Sequence, residues 1–439
     1  MTGPSVAASA AELDTRRTQA RALLQAGRSD EARRAFEDVL RIAADDAEAL
    51  NALAVDAHGR GRPDEACALL EQALAAHPDD TTVLSNLGVL QRERNDFEAA
   101  RASFARASEL APDLFATRLR LGETLLALGR PEQALPVCFG AIFAAQQVGR
   151  WLGDASTEPA LRPLVTRLIR FVAAGRHQLF NALLAPLRER HGAAALARVD
   201  KALAIHLGEL QPRWPDPAQR PKFLFFPDLP TERVVPRERF PWYAALEAQT
   251  AAIRGEMQRV LAEDTGFEPF LGHFDDAQLE GHLRSDRGAP VWNAFFFHRH
   301  GRRNEANAAR CPLTMAAVEA VPLCRVREHA PEVCFSVLTP GSHILPHRGV
   351  TNTRLVTHLP LVVPEGDLAL DISGHLQRWE EGRCFSFDDT FEHAAWNRSA
   401  HTRVVLLLDV WNPYLTDIEC EALTHLISGI GDFNREAGA

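Results

Sequence analysis

Lysine is almost missing from this chain. Of 48 basic residues only Lys201 and Lys222 are lysine. Any anion pocket must therefore be built on arginine, whose planar fork grips a carboxylate through paired hydrogen bonds. A basic excess is missing too: the net charge is −10, and a nucleic-acid footprint would need a basic face. Seven cysteines are scattered with no C-x-x-C pair, so neither a zinc ribbon nor a disulfide framework is indicated. No apolar run approaches the ~20 residues of a membrane span. Residues 1–20 hold no apolar core of a signal peptide. The expectation is a reducing, cytoplasmic compartment, with no membrane span and no nucleic-acid partner.

What is present begins with a repeat. Ala32, Ala66, Ala100 and Ala134 are spaced by one period, and Gly27, Gly61, Asn95 and Gly129 follow the same period. Ala20, Ala54, Gly88 and Gly122 form a third class in phase. Small residues at fixed places let two helices approach closely. Glycine or asparagine seven positions later suits a turn of positive φ. The period is that of the tetratricopeptide repeat, about four units over 13–150, after an expected disordered segment 1–12. Such a solenoid carries a groove for a peptide or protein partner. Residues 151–217 lose the phase but keep helical spacing at Leu164, Leu168, Phe171 and Val172, and read as a helical connector. Pro212, Pro215, Pro217 and Pro221 then mark a boundary, with a further domain over 218–439.

In that domain Lys222–Pro230 reads as a strand that turns, 243–262 as a helix and Val291–His298 as a strand. The polar loop His300–Asn304 is either a solvated turn or an anion-contacting loop through Arg302 and Arg303. From Val333 on, strand-like segments at 333–339, 354–363, 367–372, 383–388 and 403–411 alternate with turns, as in an antiparallel barrel or sandwich. His347 stands at a loop or strand start, and His393 at the exit of another strand. In a barrel two such ends can meet at the mouth, where two imidazoles suit Fe, Zn or Cu. Asp389 is a candidate to orient a ligand or to cap a turn. Arg403, at the foot of the apolar run Val404–Leu408, needs an anion or a structural acid.

The elements Pro-His-x-Gly (346–349), Thr-Asn-x-Arg-Leu-x-x-His-Leu (351–359), Trp-Glu-Glu-Gly (379–382), Phe-Asp-Asp-x-Phe-Glu-His (387–393) and Asp-Val-Trp-x-Pro (409–413) resemble the aspartyl/asparaginyl β-hydroxylase family. The resemblance implies a double-stranded β-helix, related to jelly-roll and cupin folds, with Fe(II), 2-oxoglutarate and O2 as cofactor and cosubstrates. His347 and His393 would hold the iron, with Asp389 assisting. Ser336, His358 and Arg403 would bind 2-oxoglutarate. Arg354, Arg302 and Arg303 would face the substrate. Gly349 replaces a triad carboxylate, as in that family. The implied reaction is hydroxylation of a carbon, the β-carbon of an Asp- or Asn-like residue, in a polypeptide captured by the repeats. Val356 departs from the family's second arginine, which leaves room for another side chain. Hydroxylation of a lipid acyl chain or free amino acid, and a non-catalytic scaffold, are the alternatives.

Overall fold

The computed structural model describes residues 4–272 and 280–439. Its contacts divide the chain into two units, 1–176 with 432–439, and 177–431. The first is helical. Helices α1 (Pro4–Gln25), α2 (Ser29–Ile42), α3 (Ala47–Gly59), α4 (Pro63–Ala76), α5 (Thr81–Glu93), α6 (Phe97–Leu110), α7 (Phe115–Ala127) and α8 (Pro131–Gln147) follow one another. The phase-locked residues explain the packing. Ala20, Ala32, Ala54, Ala66, Ala100 and Ala134 are all buried, and a Cβ at Gly88 would lie 2.7 Å from the Phe104 ring. Gly27, Gly61, Asn95 and Gly129 all have positive φ. Asp46, Asp80 and Asp96 cap α3, α5 and α6 by accepting backbone N–H bonds. The segment expected to be disordered is helical from Pro4 onward, and its residues 1–3 lie outside the described residues.

Helix α9 (Arg162–His191) carries the division between units, at Arg176/His177, rather than the proline-rich stretch near 217. Helix α10 (Ala197–His206) belongs to the second unit. It buries Val199 and Leu203, and Leu196, just before its first residue, is buried too. Arg198 donates to both Glu419 oxygens, at 2.8 and 2.6 Å.

The second unit is β-rich, with strands β1 (Glu268–Pro269), β2 (Leu283–Ser285), β3 (Trp292–Arg299), β4 (Arg302–Arg303), β5 (Val333–Leu338), β6 (Ser342–His347), β7 (Arg354–Val362), β8 (Leu368–Ile372), β9 (His375–Gln377), β10 (Phe385–Phe387), β11 (His393–Asn397) and β12 (Arg403–Trp411). One antiparallel sheet runs β1-β3-β5-β12-β7-β10 with β4 on β3, and the other runs β2-β6-β11-β8-β9. Apolar side chains of both sheets, among them Ile344, Leu370, Phe385 and Leu407, form one core. Burial on the other face of the large sheet explains why β5 and β12 read as continuous apolar runs.

Three expectations change. His347 ends β6, and His393 begins β11 instead of closing a strand. Lys222–Pro230 forms no strand among the described residues. There the Asn352 amide accepts from Phe226 N and donates to Phe226 O, at 2.7 and 2.8 Å, and does a ladder's work from a side chain. The 243–262 helix is broken into α11 (Tyr243–Glu247) and α12 (Thr250–Glu263).

Candidate active site

The registry of β6 on β11 sets His347 opposite His393, and their ring centroids are 4.1 Å apart. Each ring donates Nδ1–H to a backbone carbonyl two residues upstream, Leu345 at 2.8 Å and Phe391 at 3.0 Å. That fixes the tautomer and leaves both Nε2 lone pairs available, as a metal ligand requires. Burial pushes both imidazoles down to about 4, with His393 adding to the effect on His347. They are therefore neutral near pH 7.

Position 349 is glycine, and a Cβ built there would land on the carboxyl group of Asp389. Asp389 is buried. Its Oδ1 has no hydrogen-bond partner and its Oδ2 lies 3.3 Å from Arg354. Burial raises its pKa, against the pull of Arg354. Among the described residues no three His, Cys, Asp or Glu side chains group as a metal cage. The pair of histidines with an orphaned carboxylate oxygen beside them fits a divalent ion held by two protein nitrogens and oxygen ligands from elsewhere.

Arg403 opens β12 and is 2% exposed. No described carboxylate pairs with it. Its Nε has no partner, its Nη1 reaches only the Ser336 carbonyl at 3.5 Å, and its guanidinium sits 4.9 Å over the Trp379 ring. Burial lowers its pKa to about 10, so it remains charged. A buried, uncompensated cation costs several kcal/mol; an entering carboxylate would relieve it. Two neutral donors stand by. Ser336 Oγ accepts Trp292 Nε1–H at 3.0 Å, which leaves its own hydrogen to give. His358 Nδ1 accepts from Trp379 Nε1 at 3.1 Å, so its proton is on Nε2. Burial, then Arg403, keep His358 neutral.

These groups line one cavity of about 160 Å³. Phe270, Trp292, Ile344, Leu370 and Phe387 form its apolar walls. Arg354 lies at the far end from Arg403, but its guanidinium is already held, by Asp409 at 2.6 Å and Asp389 at 3.3 Å. The structure does not bring Arg302 and Arg303 to the cavity. They are exposed on β4 and paired with Glu328 at 2.7 Å and Glu319 at 2.8 Å. Local acids satisfy both, so this loop is a solvated turn. Sequence reasoning missed Trp292, Glu332, Trp379 and Asp409 as lining residues. Trp379 and Asp409 lie inside motifs quoted above, whereas nothing around Glu332 marked it.

The family model described as aspartyl/asparaginyl β-hydroxylase matches residues 247–413, and tetratricopeptide-repeat models match 13–38, 45–113 and 91–152. Residues 247–413 are thus similar to aspartyl/asparaginyl β-hydroxylase domains. The ornithine lipid ester-linked acyl 2-hydroxylase of Rhizobium tropici is 36% identical over 176 residues, 40% of this chain and 58% of that one. The human aspartate beta-hydroxylase domain-containing protein 2 is 31% identical over 214 residues, 48% of this chain and 55% of that one. The human aspartyl/asparaginyl beta-hydroxylase is 37% identical over 128 residues, 28% and 16% of the two chains. The chain thus spans little more than half the length of the first two relatives. Among solved structures, a MamA mutant aligns with 38% of this chain and 87% of its own at 25% identity and a TM-score of 0.30. No described helix is long and apolar enough to cross a membrane.

Proposed function

We propose that this protein is an Fe(II)- and 2-oxoglutarate-dependent dioxygenase that hydroxylates a carbon of a peptide or protein held by its repeats. The observation that carries the reading is Arg403, a fully buried guanidinium with no carboxylate partner among the described residues, in the same cavity as two neutral, tautomer-fixed histidines. Arg403 and Ser336 receive the distal carboxylate of 2-oxoglutarate, and His358 Nε2–H donates nearby. His347 and His393 hold Fe(II), and Asp389 Oδ1 accepts from a water on the ion. The two-sheet frame is read as a double-stranded β-helix.

Bound iron supplies the redox centre at which O2 and 2-oxoglutarate react. One oxygen atom ends in succinate and one in the alcohol, and CO2 leaves. Decarboxylation and the substrate C–H bond each give two electrons, which together reduce O2. The protein's part is to orient the cosubstrate, exclude water with the apolar walls, and hold the substrate carbon in reach.

In the helical unit a groove of about 420 Å³ between α1, α2 and α3 exposes Leu24 and Val55 beside Asn51, a surface suited to a polypeptide. A second reading, hydroxylation of a lipid acyl chain or a free amino acid, is favoured by the name of the R. tropici relative and by the apolar cavity wall. Anaerobic loading with Fe(II) and 2-oxoglutarate followed by O2 decides for or against the oxygenase. Succinate should form slowly without substrate and faster with the right one; no succinate under any condition would leave only a binding scaffold.

A further inference from the structure

The family name points to an acidic or amide side chain, and Arg354 is the residue that would receive it. Its surroundings say otherwise. Arg354, Val356 and His358 share one face of β7. The guanidinium of Arg354 is the inner member of an ion-pair cluster: Asp409 Oδ1 at 2.6 Å, Asp389 Oδ2 at 3.3 Å. Asp409 is fixed in turn, since its Oδ2 accepts the Glu332 N–H at 2.9 Å. Asp409 and Asp389 are both more than nine-tenths buried. A substrate carboxylate could reach this guanidinium only by displacing a buried carboxylate and lying against another.

The unused groups at this end of the cavity are acceptors. Glu332 spends Oε1 on the His300 backbone N–H at 2.7 Å and on His300 Nδ1 at 2.9 Å. Its Oε2 is buried without a partner, and Glu332 lines the cavity. Asp389 Oδ1 also has no partner, but it is already assigned to water beside the iron, so Glu332 Oε2 is the acceptor left for a substrate. Three carboxylates, Glu332, Asp389 and Asp409, thus face one guanidinium here. Two further groups act on this region: His300, whose pKa is raised by its hydrogen bond to Glu332 Oε1, and the exposed Lys222 ammonium, screened by solvent; neither reaches Glu332 Oε2. Between this end and the iron-site histidines the walls are aliphatic or aromatic: Val356, Leu407, Phe387.

An apolar passage ending in a buried, unpaired carboxylate oxygen fits an alkyl chain that ends in a cation. Resting on the oxygenase reading above, we propose that the group presented for hydroxylation is a basic aliphatic side chain, an alkylamine or alkylguanidine such as that of lysine or arginine, and not a carboxylate. Glu332 Oε2 receives its terminal N–H, the methylenes lie along Val356 and Leu407, and Arg354 is a positioning residue that holds Asp409 and Asp389 in place. A residue within a polypeptide and a free amino acid share this chemistry.

The test uses the full chain with Fe(II) and 2-oxoglutarate under nitrogen. Calorimetry measures binding of short peptides identical except for a central Lys, Arg, Asp, Asn or Ala, and of free L-lysine and L-arginine. The Lys or Arg peptide should bind at least about tenfold tighter than the Asp and Asn peptides. Glu332→Gln, which keeps shape and removes charge, should narrow that ratio to within about threefold, while Arg302→Ala on the outside leaves it unchanged. Melting temperature checks that Glu332→Gln is folded. Tighter binding of free lysine or arginine than of any peptide would keep the chemistry and move its source to the free amino acid. Preference for Asp or Asn, no preference, or a ratio indifferent to Glu332→Gln would overturn the proposal. Succinate formation without any peptide, measured on the same samples after O2, reports separately on the oxygenase reading.

Discussion

The two units use arginine in opposite ways. In the solenoid, the guanidinium groups at the surface find local acids: Arg60 with Asp30 at 2.6 Å and Asp56 at 2.7 Å, Arg106 with Asp79 at 2.7 Å. Exposed pairs of this kind contribute little, being screened and entropically costly. In the β-rich unit Arg354 is buried against two carboxylates, and Arg403 against none among the described residues. The first arrangement keeps a helical surface wet. The second stores an unmet electrostatic demand inside the fold, which a ligand of opposite charge can meet.

The sharpest way to break this contrast is to remove the proposed iron ligands. His347→Ala or His393→Ala should abolish Fe(II) retention and all succinate formation, because one imidazole does not hold Fe(II) against water. Iron retained by either variant, measured by metal analysis after desalting, would move the centre elsewhere.

Arg403→Met comes next and should act in two directions. Apparent 2-oxoglutarate affinity should fall by at least about tenfold, for loss of a charged hydrogen bond of ~1.5–3 kcal/mol. The unliganded protein should melt a few degrees higher, since a buried unpaired charge has gone. Equal loss of stability and affinity would mean that Arg403 is structural.

Acid should then separate the units. His347 and His393, held at about 4 against an ordinary 6.5, and His358, pushed well below 6.5, are protonated first in the unfolded chain. Their contribution is complete above pH 6.5 and is lost as pH falls toward 4, at ~1.4 kcal/mol per group per pH unit. Asp388 and Asp409, raised by burial to about 6, and Asp389, raised as well, oppose this by taking protons in the folded state. The histidines begin to lose their contribution at pH 6.5, before the carboxylates begin to gain theirs, which leaves a net loss at pH 5. Hydrogen exchange of the metal-free protein at pH 7 and pH 5 should therefore show β11 and β12 loosening while α3–α6 do not. A uniform response would contradict the assignment. Bound metal should shrink the effect, since ligated imidazoles stay unprotonated.

Truncation tests the boundary. A chain starting at His177 should keep cosubstrate turnover. One starting at Pro217 loses the Arg198–Glu419 pairs and the burial of Leu196, Val199 and Leu203, and should be less soluble and melt several degrees lower. Equal melting temperatures would return the boundary to the proline-rich stretch. The smallest effect belongs to the solenoid surface: Arg60→Ala should leave the melting temperature unchanged within error.

The same contrast explains what the sequence revealed. The solenoid was legible because its packing is local and periodic; Ala32 or Gly61 means the same thing in every unit. The apolar strands β5, β7 and β12 were legible because both sheet faces are covered. The short strands β6 and β11 were not, since Pro346 and the acidic turn before His393 mask their pairing. The histidines and Arg403 stood out through their neighbours in the chain. Glu332 and the double engagement of Arg354 did not, because they depend on which strands lie side by side, and no local pattern carries that. Arg302 and Arg303 misled because a charged pair on a turn looks the same whether it meets a ligand or a neighbouring glutamate.

Gly349 has a mutational consequence. The volume that a side chain at 349 would fill is taken by the carboxyl group of Asp389, whose backbone carbonyl also accepts the Gly349 N–H at 2.6 Å. A single mutation to aspartate at 349 would therefore collide before it could coordinate. Placing a third protein ligand there would require clearing 389 first, which frees Arg354 and unsettles Asp409 on the way. Packing thus closes the single-step route from the two-histidine arrangement to a three-ligand one.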